Sequence, residues 1–132
     1  MKKKVMIVDD EPDVLISLKT VFERQNYEVV TGSNGVECLD EIEKGFKGVI
    51  LIDLMMPVMD GWATINEIVK KGYNKYVCIF IITGKGTKDY QKIGMLGSFI
   101  FDYLTKPLDV NQLISSVEKS SRCFYQTHSS KL

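Results

Sequence analysis

One histidine and three cysteines are all that this chain of 132 residues offers for zinc binding or thiol chemistry. Cys38, Cys78 and Cys123 have no metal-type spacing, and an odd number cannot close into disulfide pairs. Cys38 and Cys78 lie among apolar residues and read as core thiols, which suits a reducing cytoplasm. The single histidine, His128, falls in a polar C-terminal stretch and is no candidate for catalysis. Excess charge is lacking too: 17 basic and 17 acidic residues argue against direct nucleic-acid binding driven by bulk charge. No apolar run reaches transmembrane length, and Val5 to Val8, behind the N-terminal lysines, is far short of a signal-peptide core, so no membrane insertion is expected. Repeats, low-complexity runs and an interdomain linker are absent as well. The expectation is one cytoplasmic domain large enough to bury a core without staples.

What is there is alternation. Lys4 to Val8, Tyr27 to Thr31, Gly48 to Asp53, Val77 to Ile82 and Phe99 to Thr105 read as strands, rich in β-branched residues. Between them lie amphipathic stretches. Val14, Leu15, Leu18, Val21 and Phe22 share one helical face behind Pro12, and Asn26 ends that helix. Val36, Leu39 and Ile42 mark a second helix ending by Gly45, and Trp62 to Lys71 a third, stopped by Gly72. A short fourth helix is predicted from about Thr87 to Leu96, and Val110, Leu113, Ile114 and Val117 define a fifth. From about Ser120 the residues are polar without a period, which predicts a frayed tail over 121–132 behind a domain of 1–120. Strands alternating with helices imply an α/β fold with a parallel sheet covered on both faces.

In such a sheet every strand C-terminus lies on one edge, where ligands sit. The first, third, fourth and fifth strands end in Asp9-Asp10, Asp53, Thr83 and Lys106. Asp53 alone would be an ordinary turn cap, Thr83 a strand-end hydroxyl and Lys106 a solvated charge. Together they put three acids, a hydroxyl and an ammonium on one edge. Two carboxylates about 4 Å apart repel by about 4 kcal/mol at an effective dielectric of 20, so a cation must offset them. Lys106 supplies one charge, and a hard, oxygen-loving divalent ion such as Mg²⁺ would supply two more. A carboxylate beside Mg²⁺, Lys and a hydroxyl is equipped to accept a phosphoryl group as an acyl phosphate. Asp53, alone on the central strand, is the nucleophile candidate, and Asp9 and Asp10 are the metal-ligand candidates. Asp60, Asp102 and Glu11 read as a turn former, a solvated strand residue and a helix-dipole charge, and Trp62 and the six methionines as packing.

The chain resembles the receiver domain of bacterial two-component response regulators from about Lys3 to Ser120. The resemblance rests on Val-Asp-Asp-Glu (8 to 11), Asp-Leu-Met-Met-Pro-Val-Met-Asp-Gly (53 to 61), Ile-Thr-Gly (82 to 84) and Tyr-Leu-Thr-Lys-Pro (103 to 107). It implies a doubly wound, flavodoxin-like, five-stranded parallel sheet of order 2-1-3-4-5 with five helices. It also implies phosphorylation of Asp53 by a histidine kinase or histidine phosphotransfer protein. Mg²⁺ would be held by Asp10, Asp53 and the Met55 carbonyl, and by Asp9 through water. Lys106 would pair with the phosphoryl oxygens, Thr83 would swing toward them, Tyr103 would be the switch aromatic, and the Lys106-Pro107 bond would be cis. The output would be altered binding of a downstream protein by the face of helix 4, strand 5 and helix 5, from a monomer or a phosphorylation-dependent dimer.

Three departures stand out. Gly84 replaces a small residue such as Ala, the stretch between Thr83 and Lys106 is one residue longer than usual, and Phe99-Ile100-Phe101 replaces small and acidic residues. Met55 and Lys85 flank the path of water to the acyl phosphate, and neither orients water as a neutral polar group would, so slow self-dephosphorylation is expected. A stand-alone regulator or phosphorelay intermediate is favoured over a receiver excised from a larger regulator or hybrid kinase. A haloacid-dehalogenase-like phosphatase would need a second acid where Met55 stands, and an interaction module indifferent to phosphorylation would be expected to have lost an acid or Lys106.

Overall fold

The computed structural model describes residues 2–84 and 90–129, with the backbone alone described at residue 90 and at 121–129. Strands and helices alternate as β1 (Lys3–Val8), α1 (Pro12–Arg24), β2 (Tyr27–Gly32), α2 (Gly35–Glu43), β3 (Gly48–Asp53), α3 (Gly61–Lys70), β4 (Val77–Thr83), α4 (Tyr90–Leu96), β5 (Ile100–Thr105) and α5 (Val110–Ser129). The strands form a parallel sheet in the expected order β2-β1-β3-β4-β5. Every residue of the central strand β3 is buried, as a strand covered on both faces requires.

Side-chain alternation divides the interior into two cores. Met6, Val8, Ile50, Ile52, Ile79 and Ile81 pack with Leu39, Ile65 and Ile68 under α2 and α3. Val5, Ile7, Val49, Leu51, Phe80 and Ile82 pack with Leu18, Phe22, Leu113 and Val117 under α1 and α5. Local chemistry sets the ends of the helices. Pro12 opens α1, Asn26 follows it in the left-handed region at φ 67°, Asn34 Oδ1 accepts from Glu37 N at 3.0 Å at the start of α2, and Asp60 Oδ1 accepts from Ala63 N at 2.8 Å at the start of α3. Asp60 is therefore a helix cap as well as a turn residue.

The structure departs from the sequence reading in three places. Single 3-10 turns stand before β4 (Tyr73–Lys75) and before β5 (Gly97–Phe99), so β5 starts at Ile100. The helix backbone of α5 runs on to Ser129 where a frayed tail was expected from Ser120, because no glycine or proline interrupts it. The expected start of the fourth helix at Thr87, and Lys85, lie outside the described residues. Of the methionines read as packing, Met6 and Met56 are buried, whereas Met55 and Met95 are exposed.

The stretch before Lys106, expected to be one residue longer than usual, contains an irregularity in β5. Ile79 pairs with Ile100 but Phe80 pairs with Asp102, so Phe101 is left over as a bulge in β5. A one-residue slip exchanges the two faces of a strand. Ile100 and Tyr103 thus lie on the α3 and α4 side, and Leu104 on the α1 and α5 side. Lys106, two residues on, continues the phase of Leu104. Without the bulge it would face the opposite way.

Candidate functional site

Register and parity assemble the site. Val8 pairs with Ile52, so Asp9 and Asp53, the next residues, leave the sheet side by side, in phase with Ile7 and Leu51 on the α1 and α5 side. Lys106 arrives from β5 on that same side, its backbone N–H bonded to the Thr83 carbonyl at 2.7 Å. The ammonium then reaches all three neighbouring carboxylates: Asp9 Oδ2 at 2.8 Å, Glu11 Oε1 at 3.0 Å and Asp53 Oδ2 at 3.3 Å. Asp9 is fully buried and Asp53 is 4% exposed. Their remaining oxygens are held by the backbone, Asp9 Oδ1 by Glu11 N–H at 3.0 Å and Asp53 Oδ1 by Met55 N–H at 3.1 Å. The carboxylates are fixed before any ligand arrives.

The loop behind Asp53 is held as tightly. Gly61 N–H bonds to the Leu54 carbonyl at 3.0 Å, and a Cβ on Gly61 would stand 2.5 Å from the Asp53 carbonyl oxygen, so only glycine lets α3 begin this close to the end of β3. Between them Met59 N–H reaches the Pro57 carbonyl at 2.7 Å around Val58, whose φ of 68° is strained for a β-branched residue.

Electrostatics follow from this packing. Burial, reinforced by the Asp9 charge, pushes the Asp53 carboxyl above its usual range against the opposing pull of the Met55 N–H and Lys106. Burial also works against the Lys106 ammonium, but Asp9, Glu11 and Asp53 outweigh it and hold its pKa above the usual lysine range. Among the described residues, three carboxylates contact the Lys106 ammonium and Asp10 stands beside them. Asp9, Asp10 and Asp53 each offer an oxygen within 4.8 Å of the others. An all-oxygen donor set around buried negative charge fits a hard divalent cation, and the lack of nitrogen and sulfur donors does not fit zinc.

Thr83 and Tyr103 take the other face. Thr83 is 6% exposed and in phase with Ile79 and Ile81, and Tyr103 packs against that same core. The Tyr103 hydroxyl is buried with no hydrogen-bond partner among the described residues, and burial raises its pKa. The hydroxyl and ring are thus brought together on one side of the sheet edge, and the acids and Lys106 on the other.

Sequence reasoning missed Glu11. It precedes α1 without capping it by its side chain, and Pro12 after it favours the extended backbone seen at φ −89°, ψ 111°. Its carboxylate turns to Lys106 instead of serving the helix dipole. An acid placed between a site Asp and an N-terminal helix proline was the available signal. Asp102 is half-buried, its side chain accepting from Tyr103 N–H at 2.8 Å.

Comparison with known proteins agrees with this arrangement. The sequence profile described as "Response regulator receiver domain" matches residues 5–118. Sporulation initiation phosphotransferase F of Bacillus subtilis is 29% identical over 120 residues, covering 90% of this chain and 94% of that protein. Response regulator GtcR of Aneurinibacillus migulanus is 29% identical over 92% of this chain, which spans 49% of that relative's length. This chain likewise spans about half of the Bacillus subtilis regulator PhoP, at 30% identity. The crystal structure of a CheY-like receiver domain protein from Methanospirillum hungatei superposes with a TM-score of 0.88 at 36% identity, over 96% of this chain and 99% of that one. Motifs, sheet order and strand-end site thus meet in one conclusion: the chain belongs to the response regulator receiver domain family of two-component signalling.

Proposed function

We propose that this chain is a phosphoryl-accepting switch in which Asp53 is the acceptor. The observation that carries the proposal is the fixed, nearly buried Asp53 carboxylate, with Lys106 Nζ 3.3 Å away and two further acids beside it. An Asp53 oxygen attacks phosphorus of a phosphohistidine on a histidine kinase or histidine phosphotransfer protein. The O–P bond forms, the P–N bond breaks, and the electron pair returns to the imidazole nitrogen, which takes up a proton. Lys106 neutralises the transferring oxygens, and the Met55 N–H keeps the Asp53 carboxylate aimed. Asp10, Asp53 and the Met55 carbonyl would hold Mg²⁺, with Asp9 reaching it through water. Bound there, the ion would supply charge neutralisation for the phosphoryl group.

Thr83 and Tyr103 are the proposed switch, because a hydroxyl and a ring on the far side of the same edge can follow a new anion at Asp53. The altered face would be α4, β5 and α5, where exposed Met95, Phe99 and Phe101 offer apolar contact to a downstream protein. An apolar hollow of about 310 Å³ beside Lys106, lined by Val14, Leu18, Pro107 and Leu108, suits docking of the phosphodonor. The near-full-length match to a relative named a phosphotransferase supports a relay role. The half-length matches to larger regulators support the reading as the receiver portion of one of them. The proposed site of action is the cytoplasm, with the chain a monomer or phosphorylation-dependent dimer; no helix among the described residues is long and apolar enough to cross a membrane.

Incubation with acetyl phosphate and Mg²⁺ followed by intact mass tests the chemistry. The expected result is a gain of one phosphoryl group that is lost in Asp53→Asn. An unmodified parent chain, or a modified Asp53→Asn, overturns it.

A further inference from the structure

The ammonium of Lys106 has three N–H donors, and in this structure three carboxylates claim it. A phosphoryl oxygen on Asp53 needs one of those donors, so one carboxylate must give way. Asp9 is fully buried and also tied to the Glu11 N–H, and Asp53 carries the incoming group. Glu11 is different, with a side chain 60% exposed and an ammonium contact of 3.0 Å. It alone can move to water without leaving a buried charge unpaired.

We propose that Glu11 is a resident competitor for the phosphoryl-binding N–H of Lys106, holding the ammonium while Asp53 is unmodified and released when the anion arrives. It is a positioning residue that acts through Lys106. Its carboxylate weakens the hold on the phosphoryl group and recaptures the ammonium once that group has left. The inference rests on Asp53 being the phosphoryl acceptor.

The test is titration with beryllofluoride, a tetrahedral phosphoryl mimic, followed by calorimetry at saturating Mg²⁺, with Mg²⁺ affinity measured separately for each variant. Glu11→Gln, which keeps the size and removes the charge, is expected to tighten beryllofluoride about three- to tenfold, the range for an exposed ion pair plus like-charge repulsion. Glu11→Ala is expected to do the same. Asp13→Asn, which removes an acid from the first turn of α1, controls for general charge and should change the affinity less than twofold. Weaker or unchanged binding in both Glu11 variants, or tightening no greater than that of Asp13→Asn, overturns the role of Glu11. A parent chain that takes up no beryllofluoride at all instead overturns the acceptor reading on which it rests.

Discussion

Replacing Lys106 with methionine, similar in length but uncharged, strands two carboxylates that the fold has already buried. The gross Coulomb attraction at an effective dielectric of 20 is about 6 kcal/mol for the 2.8 Å contact to Asp9 and about 5 kcal/mol for the 3.3 Å contact to Asp53. Desolvation of the ammonium offsets much of that, and removing one partner of a buried pair typically costs about 3–5 kcal/mol. The Lys106 side chain is 21% exposed, which favours the lower end, about 3 kcal/mol, or a fall of about 10 °C in Tm for a domain of this size. The assay is urea unfolding at pH 7 without divalent cations. Adding Asp53→Asn removes one of the stranded charges and should recover about half of the loss, a larger gain than the same substitution gives in the parent chain, and that excess is the coupling. The pH dependence has a definite sign. Because the folded pKa of Lys106 is raised, its stabilisation is fully present below the ordinary lysine value of 10.5 and is lost as pH rises through the folded value. A Lys106→Met chain within about 0.5 kcal/mol of the parent at pH 7, or further destabilised by Asp53→Asn, would refute the charge-pinning account.

Three other outcomes are expected. Asp53→Asn in the otherwise unaltered chain should raise stability in the absence of metal, by a margin that grows as pH rises from the ordinary carboxylate value of 3.8 through the raised folded value, since the parent loses stability over that window; paired urea curves across pH check it. Val58→Gly relieves a left-handed β-branched residue that is 84% exposed, and should add about 1 kcal/mol, read as a Tm higher by about 3 °C. Met55 is 66% exposed and apolar beside Asp53, so the acyl phosphate should decay slowly with no phosphatase present, and Met55→Asn should speed the loss followed by intact mass; rapid decay in the parent would contradict this.

The sheet and most of the site were legible because both depend on period. Apolar runs such as Val49 to Ile52 and Val77 to Ile82 admit only a doubly covered strand, and parallel strands carry their last residues to one edge. What was not legible depends on phase and rotamer. A chain one residue too long before Lys106 gives no hint of whether it bulges in the strand or lengthens the preceding loop; the β5 bulge at Phe101 is decided by the need to keep Ile100, Tyr103 and Leu104 each on an apolar side. Glu11 was hidden for a related reason. Its sequence position suits a helix dipole equally well, and only the fixed place of Lys106 selects the other direction.

A neutral chain also conceals how its charge is distributed. Among the described residues, strand polarity sends Asp9, Asp10, Glu11 and Asp53 to one edge against the ammonium of Lys106, an excess of three negative charges. Basic residues stand at the opposite edge, where strands begin: Lys3 and Lys4 open β1, paired with Glu118 and Glu28, Lys47 precedes β3, and Lys75 precedes β4, with Lys47 and Lys75 both against the ring of Tyr76, at 5.2 and 5.3 Å. Opposite charges a sheet-length apart, about 20 Å, are screened from one another by more than a Debye length at physiological salt, so the basic edge cannot relieve the acidic one. The acidic edge must be relieved locally, and Lys106 is committed already. A second cation is therefore favoured there by the same parity and register that brought the acids together, and of the three carboxylates on Lys106 it is Glu11 whose side chain is exposed to water.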